Sequence, residues 1–259
     1  MSKTMVMIHG MWGGGWYWQS MREYFEAQGY EVHTPYLRHH ELSAEQIATG
    51  ENLPAELGTT SLIDYVDDLT TFINDLAEKP IVVGHSLGGL VAQKLAERQL
   101  CERLVLLAPA PPNDVPAITW GGFKSFLSLL KTWGFWRKPH RPSFASCAYS
   151  SFAKLPDAEQ HACYERMVYD SGKLVVEVAL PFLDSAKASA VDAKSINMPT
   201  LVVGAADDQL IPPQVVSKIA KKYTQAQYRC LDNQTHWLMF EPGWERCAEL
   251  MHDWLKVEG

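Results

Sequence analysis

Short apolar runs alternate with longer segments of helical periodicity along most of this chain, and that alternation leaves few folds open. Thr4–Ile8, Glu31–Pro35, Pro80–Val83, Arg103–Ala108 and Thr200–Gly204 are strand-length, with a weaker sixth run at Gln227–Leu231. Between them the spacing predicts helices over Trp16–Gln28, stopped by Gly29, and over Ser61–Glu78, Leu87–Arg98, Pro213–Tyr223 and Trp244–Leu255. The segment opening at Ser61, a suitable N-cap, keeps Leu62, Val66, Leu69, Phe72, Ile73 and Leu76 on one face. Apolar runs without polar alternation belong to strands covered on both sides. About six of them, with helices between, imply an α/β protein with a doubly wound, mainly parallel sheet. Such sheets bind ligands beyond the carboxyl ends of their strands.

One stretch breaks the rhythm. Residues 113–198 are too many for a simple crossover and are rich in aromatics: Trp120, Phe123, Phe126, Trp133, Phe135, Trp136, Phe144, Tyr149 and Phe152. The expectation is a core built from residues 1–112 and 199–259, carrying a mostly helical insertion over 113–198 that covers the active end of the sheet as a lid. The plainer alternative is that most of those aromatics only hold the insertion together.

Within this frame, Gly84-His85-Ser86-Leu87-Gly88 has the pattern G-x-S-x-G. By composition alone the pattern arises in on the order of 10% of chains of this size. Its setting gives it weight, because it follows Ile81-Val82-Val83 and opens a helix, the strand–turn–helix context the motif requires. A serine on so tight a turn sits in a strained backbone, and side chains two residues to either side would collide. Gly84 and Gly88 remove those collisions. Ser86 is then the candidate nucleophile over a helix N-terminus, whose positive end favours developing negative charge. His85 is read as structural.

A serine needs a base, and an imidazole has the suitable pKa. Of nine histidines, only His236 lies after the last strand-like run and before the terminal helix, where it overhangs the active edge of the sheet. The acid that orients it should hang from a strand end. Asp207 and Asp208 both follow Thr200–Gly204; Asp208 is preferred because Leu210 and Pro212 then fall two and four residues on, and Asp114 is a distant third. The chain order is Ser, Asp, His. For the oxyanion hole, the backbone N–H groups of Leu87, after the nucleophile, and Met11, after the first strand, are the expected donors.

Other chemistries are poorly supported. With 23 Lys and Arg against 30 Asp and Glu, a net charge of −7 and no basic block, nucleic acid is not expected as a partner. The glycines at 13–15 are not followed by the residues of a phosphate loop. Five cysteines without a C-x-x-C pair suit a reducing compartment, and no membrane span or signal-peptide core is evident, which together suggest a cytoplasmic protein. His39-His40-Glu41 is read as a surface loop rather than a metal site, since adjacent residues rarely ligate one ion. No metal or organic cofactor is expected.

Ile8-His-Gly-Met-Trp12, Val83-Gly-His-Ser-Leu-Gly-Gly89, Val203-Gly-Ala-Ala-Asp-Asp-Gln-Leu-Ile-Pro-Pro213 and His236-Trp237 resemble the α/β-hydrolase superfamily over nearly the whole chain. The start directly on the strand before His9-Gly10 is similar to the compact branch that contains plant methylesterases and hydroxynitrile lyases. Two departures stand out: Pro35–Glu41 lacks the aspartate and glycines common in that loop, and Thr235 replaces the glycine often found before the histidine. The resemblance implies an α/β-hydrolase fold and a serine hydrolase that cleaves an ester or related acyl compound with a bulky apolar part through an acyl-enzyme. A homodimer is possible on this reading. The alternatives are a cofactor-free lyase or C–C bond hydrolase on the same fold, and a ligand-binding module without turnover.

Overall fold

The computed structural model describes residues 2–117 and 132–257; Trp120, Phe123 and Phe126 lie outside the described residues. The main sheet has six strands: β1 (Thr4–Ile8), β2 (Glu31–His33), β3 (Ile81–His85), β4 (Arg103–Leu107), β7 (Thr200–Ala205) and β8 (Ala226–Leu231). They run in the order β2-β1-β3-β4-β7-β8, and every neighbouring pair is parallel. Two further strands, β5 (Pro139–His140) and β6 (Asp170–Ser171), form a separate antiparallel pair. The order reverses between β1 and β3, so the loops that leave these two strands diverge and open a crevice at their carboxyl ends.

Strand periodicity divides the core into two layers. Val6, Ile8, Val82, Leu104, Leu106 and Val202 face one side, against the helices Leu62–Asn74, Leu87–Glu97 and Pro213–Ala220. Met5, Met7, Ile81, Val83, Val105, Leu107, Leu201 and Val203 face the other, against the helices Gln19–Ala27 and Trp244–Val257. This is the doubly wound arrangement expected from the apolar runs.

Local signals also act as read. Ser61 and Asp64 close a capping box, with Asp64 N–H donating to Ser61 Oγ (3.2 Å) and Ser61 N–H to Asp64 Oδ2 (2.7 Å). Gly29 sits at φ +82°, the left-handed conformation that ends the preceding helix. The expected Trp16–Gln28 helix differs in its first turn. Gly15–Trp18 is a 3-10 turn, with Tyr17 N–H donating to Gly14 C=O three residues back, and the α-helix starts only at Gln19.

The segment between β4 and β7 leaves the sheet from two adjacent strands. It contains helices over Phe144–Ser150, Asp157–Arg166 and Gly172–Ala179 and supplies both β5 and β6. Among the described residues, no helix is long and apolar enough to cross a membrane.

Candidate active site

Ser86 joins β3 to the helix Leu87–Glu97 at φ 53°, ψ −121°, a backbone conformation that costs a non-glycine residue roughly 1–3 kcal/mol. The turn is pinned from β4: Ser86 N–H donates to Leu107 C=O (3.1 Å), and Ser86 C=O accepts from Ala110 N–H (2.8 Å). The flanking glycines are sterically required. A Cβ on Gly84 would lie 2.2 Å from Gly88 O, and one on Gly88 would lie 2.2 Å from Ile8 O and 2.5 Å from His9 O. Leu87 N–H, first in its helix, has no intrahelical acceptor. The loop after β1 approaches so closely that a Cβ on Gly10 would sit 3.0 Å from Ser86 Cβ, which brings Met11 to the same place.

His236 and Asp208, 28 residues apart in sequence, meet side chain to side chain. His236 Nδ1 is 2.8 Å from Asp208 Oδ2, and both side chains are buried. A carboxylate only accepts, so Nδ1 is the donor of this bond, and in the neutral ring Nε2 is the nitrogen left with its lone pair. Asp208 is held in turn: its Oδ1 accepts from Leu210 N–H and Ile211 N–H, each at 2.8 Å.

Asp207 does something else. It receives Lys154 Nζ at 2.7 Å, and the same ammonium reaches Asn233 Oδ1 at 2.5 Å, tying the inserted segment to the loops that carry Asp208 and His236. Asp114 is paired with Lys222. Neither competes for the imidazole. His85 is buried, and its Nε2 donates to His236 C=O at 2.8 Å; burial and the neighbouring His236 hold its pKa well below the usual imidazole value. It supports the His236 backbone.

Ser86, Leu87, Met11 and His236 share the wall of one cavity of about 800 Å³. Core residues Trp12, Tyr17, Leu210, Ile211 and Trp237 line it on one side, and Met167, Val175, Val178, Leu180, Pro181 and Phe182 of the inserted segment on the other. The lining is therefore apolar, but its aromatics differ from those the sequence singles out. Of the six that are described, none lines the cavity. Phe152 is buried against Trp237 (centroids 4.6 Å apart), Phe144 stacks on His161, and Trp133, Trp136 and Tyr149 are exposed.

The surface-loop reading of His39-His40-Glu41 needs correction at its middle residue. His40 is fully buried, with Nδ1 3.0 Å from Arg38 O and Nε2 3.3 Å from Asp170 Oδ2. Asp170, also buried, accepts as well from Tyr65 Oη (3.0 Å), Ser171 N–H (2.7 Å) and Trp12 N–H (3.1 Å). Burial raises its pKa, but His40, the Ser171 N–H and nearby His140 outweigh that, and the carboxyl is lowered overall. The ring of His9 lies 5.1 Å from that of His40; burial and His40 push its pKa down to about 3, so it is a neutral ring that donates from Nδ1 to Gly10 C=O and accepts Leu37 N–H. Sequence reasoning missed Asp170 because no motif surrounds it. Among the described residues, no group of three His, Cys, Asp or Glu side chains is placed to hold a metal ion.

The model of the alpha/beta hydrolase family matches residues 5–250, and the chain belongs to that family. It is 32% identical over 117 residues to salicylic acid-binding protein 2 of Nicotiana tabacum, a match covering 44% of this chain and 42% of that protein. With methylesterase 7 of Arabidopsis thaliana it shares 30% identity over 98 residues, 37% of this chain and 34% of the relative. These matches span less than half the length of either relative. Similar solved structures include a methylesterase, MES16, from Arabidopsis (TM-score 0.69, 14% identity, covering 96% of this chain and 98% of that one) and a pyrethroid hydrolase from Sphingobium faniae (TM-score 0.71, 19% identity, covering 98% and 97%). At these identities the structural likeness concerns the fold.

Proposed function

We propose that this protein hydrolyses carboxylic esters of small apolar molecules through an acyl-enzyme on Ser86. One observation carries the reading: a serine on a strained, glycine-flanked turn and an imidazole oriented by a buried carboxylate share the wall of one apolar cavity. Relatives and structural neighbours named as methylesterases and a pyrethroid hydrolase support it.

His236 Nε2 takes the Ser86 Oγ proton as Oγ bonds to the ester carbonyl carbon. The carbonyl oxygen becomes an oxyanion, met by the N–H groups of Leu87 and Met11. Collapse breaks the C–O bond to the alcohol, which leaves with the proton from His236. Water, deprotonated by the same nitrogen, then attacks the acyl-enzyme and releases the acid and Ser86. Asp208 holds the ring throughout. The inserted segment 113–198 acts as the lid of this site, supplying the apolar wall against which the acyl group lies and from which water is excluded.

The test is covalent labelling with a fluorophosphonate, followed by location of the adduct by mass spectrometry and a series of p-nitrophenyl esters of graded acyl length. A single adduct on Ser86, absent from Ser86→Ala, and a burst of p-nitrophenol are expected. An adduct on another residue, or ester turnover that persists in Ser86→Ala, refutes the reading.

A further inference from the structure

All three polar groups of Trp12 are bonded to the inserted segment. Its N–H donates to Asp170 Oδ2 (3.1 Å), its C=O accepts from Val168 N–H (2.9 Å), and its indole Nε1–H donates to His140 Nδ1 (3.4 Å). Trp12 itself sits at φ 59°, in the left-handed region that an unsupported L-residue avoids. Met11 immediately precedes it, so the orientation of the Gly10–Met11 peptide depends on the peptide that follows being fixed.

We propose that Asp170 is a positioning residue for the oxyanion-binding loop: by accepting Trp12 N–H it keeps residue 12 in its strained conformation and aims Met11 N–H at the developing oxyanion. The inference rests on the acyl-enzyme reading and extends it. On this view the insertion organises the reacting end of the site as well as covering it. Asp170 is built for the task, because it is fully buried and held by Tyr65 Oη, Ser171 N–H and His40 in addition to Trp12, so its oxygens have fixed directions. Tyr65 and His40 lie outside the insertion, so the carboxylate is braced by the core as well as by Ser171 of its own segment.

The experiment compares wild type with Asp170→Ala, Asp170→Asn and Tyr65→Phe. Three quantities are read: kcat and KM for a p-nitrophenyl ester, the inhibition constant of an alkyl trifluoromethyl ketone, which places an oxyanion in the hole when it adds to Ser86, and that of the matching carboxylic acid product. Asp170→Ala is expected to lose about tenfold or more in kcat and in trifluoromethyl ketone affinity, with KM and product affinity within about threefold of wild type. Asp170→Asn, which keeps one acceptor oxygen, should fall between. Tyr65→Phe should show a smaller loss, of about threefold, in the same two quantities. A parallel loss of ketone and product affinity means a damaged cavity and overturns the proposal, as does ketone affinity unchanged in every variant. If the Asp170 variants do not fold, Tyr65→Phe decides by the same ratio. A wild-type protein that neither labels with fluorophosphonate nor turns over esters overturns the acyl-enzyme reading itself, which labelled wild type with indifferent variants does not.

Discussion

Thr235 donates both its backbone N–H and its hydroxyl to the buried carboxylate of Glu241, six residues on, so the residue before His236 is fixed from two sides. A glycine at 235 would supply only one of those bonds. Glu241→Ala leaves both donors buried without an acceptor, at about 1–3 kcal/mol for each orphaned group. The variant is expected to melt several degrees lower and to lose kcat, because the His236 loop loses its brace. Calorimetry together with ester kinetics checks this, and an unchanged melting temperature would show that the clamp carries no stability.

The two adjacent aspartates should separate cleanly. Asp208 orients the imidazole and Asp207 holds Lys154, so Asp208→Asn is expected to lower kcat by roughly 10³–10⁴-fold. Asp207→Asn removes an ion pair half open to solvent, of the kind worth about 0–1 kcal/mol, and should leave kcat within a few-fold of wild type. Labelling rates with fluorophosphonate give the same comparison independently of substrate. Equal loss in the two variants would move the acid role away from a single residue.

Gly88→Ala tests the steric argument at the nucleophile turn. The added Cβ meets the carbonyl oxygens of Ile8 and His9, which are backbone atoms of β1 and the loop that follows it and have no room to yield. The variant should either fail to accumulate as folded protein or lose most of its labelling at Ser86. Gly29→Ala is the control: its Cβ would meet nothing within 4 Å, though φ +82° adds backbone strain, so a loss of about 1 kcal/mol without loss of labelling is expected. Circular dichroism and labelling stoichiometry distinguish the two outcomes.

What could be read in the sequence was what depends on neighbours in sequence. Ile81–Val83 announces a strand covered on both faces, Ser61 a cap, and Gly84 and Gly88 a turn that must be tight. The spacing of the two residues that follow favours Asp208 over Asp207, and in the fold it is Asp208 that reaches His236. His40 went the other way. Flanked by His39 and Glu41 it looks like a solvent-facing loop, and only a carboxylate 130 residues away makes its burial affordable. That carboxylate lies in a two-residue strand of an irregular insertion, where neither periodicity nor a motif marks it. The same limit applies to the cavity wall: composition marks the insertion as aromatic, but which side chains turn inward is set by tertiary packing, and it is Phe182, outside the aromatic-rich run, that lines the cavity with Val175, Val178 and Met167.

A last contact between the insertion and the core gives a pH dependence whose sign can be worked out. Glu177, on the helix Gly172–Ala179, accepts the N–H of Leu62, the first residue of the helix Leu62–Asn74, at 2.7 Å, and its other oxygen is 3.7 Å from Lys173 Nζ. Burial is the main cause that pushes its pKa from 4.5 to about 7, with Asp184 and Asp64 adding to the rise while the Leu62 N–H and Lys173 oppose it. The folded state therefore holds this proton more tightly than the unfolded chain, so the group's favourable contribution is complete below about pH 4.5 and is lost as pH rises towards 7. Buried His9, His85 and His140, all with lowered pKa values, act in the opposite direction over part of that range. The informative quantity is thus the difference between wild type and Glu177→Gln, in which the histidines cancel and the amide oxygen still accepts Leu62 N–H. The variant's melting temperature should gain on wild type steadily between pH 5 and pH 7.5 and run parallel to it above. A difference that stays flat across that range would mean that folding leaves the Glu177 pKa unshifted, and one that shrinks as pH rises would mean that folding lowers it; either overturns the prediction.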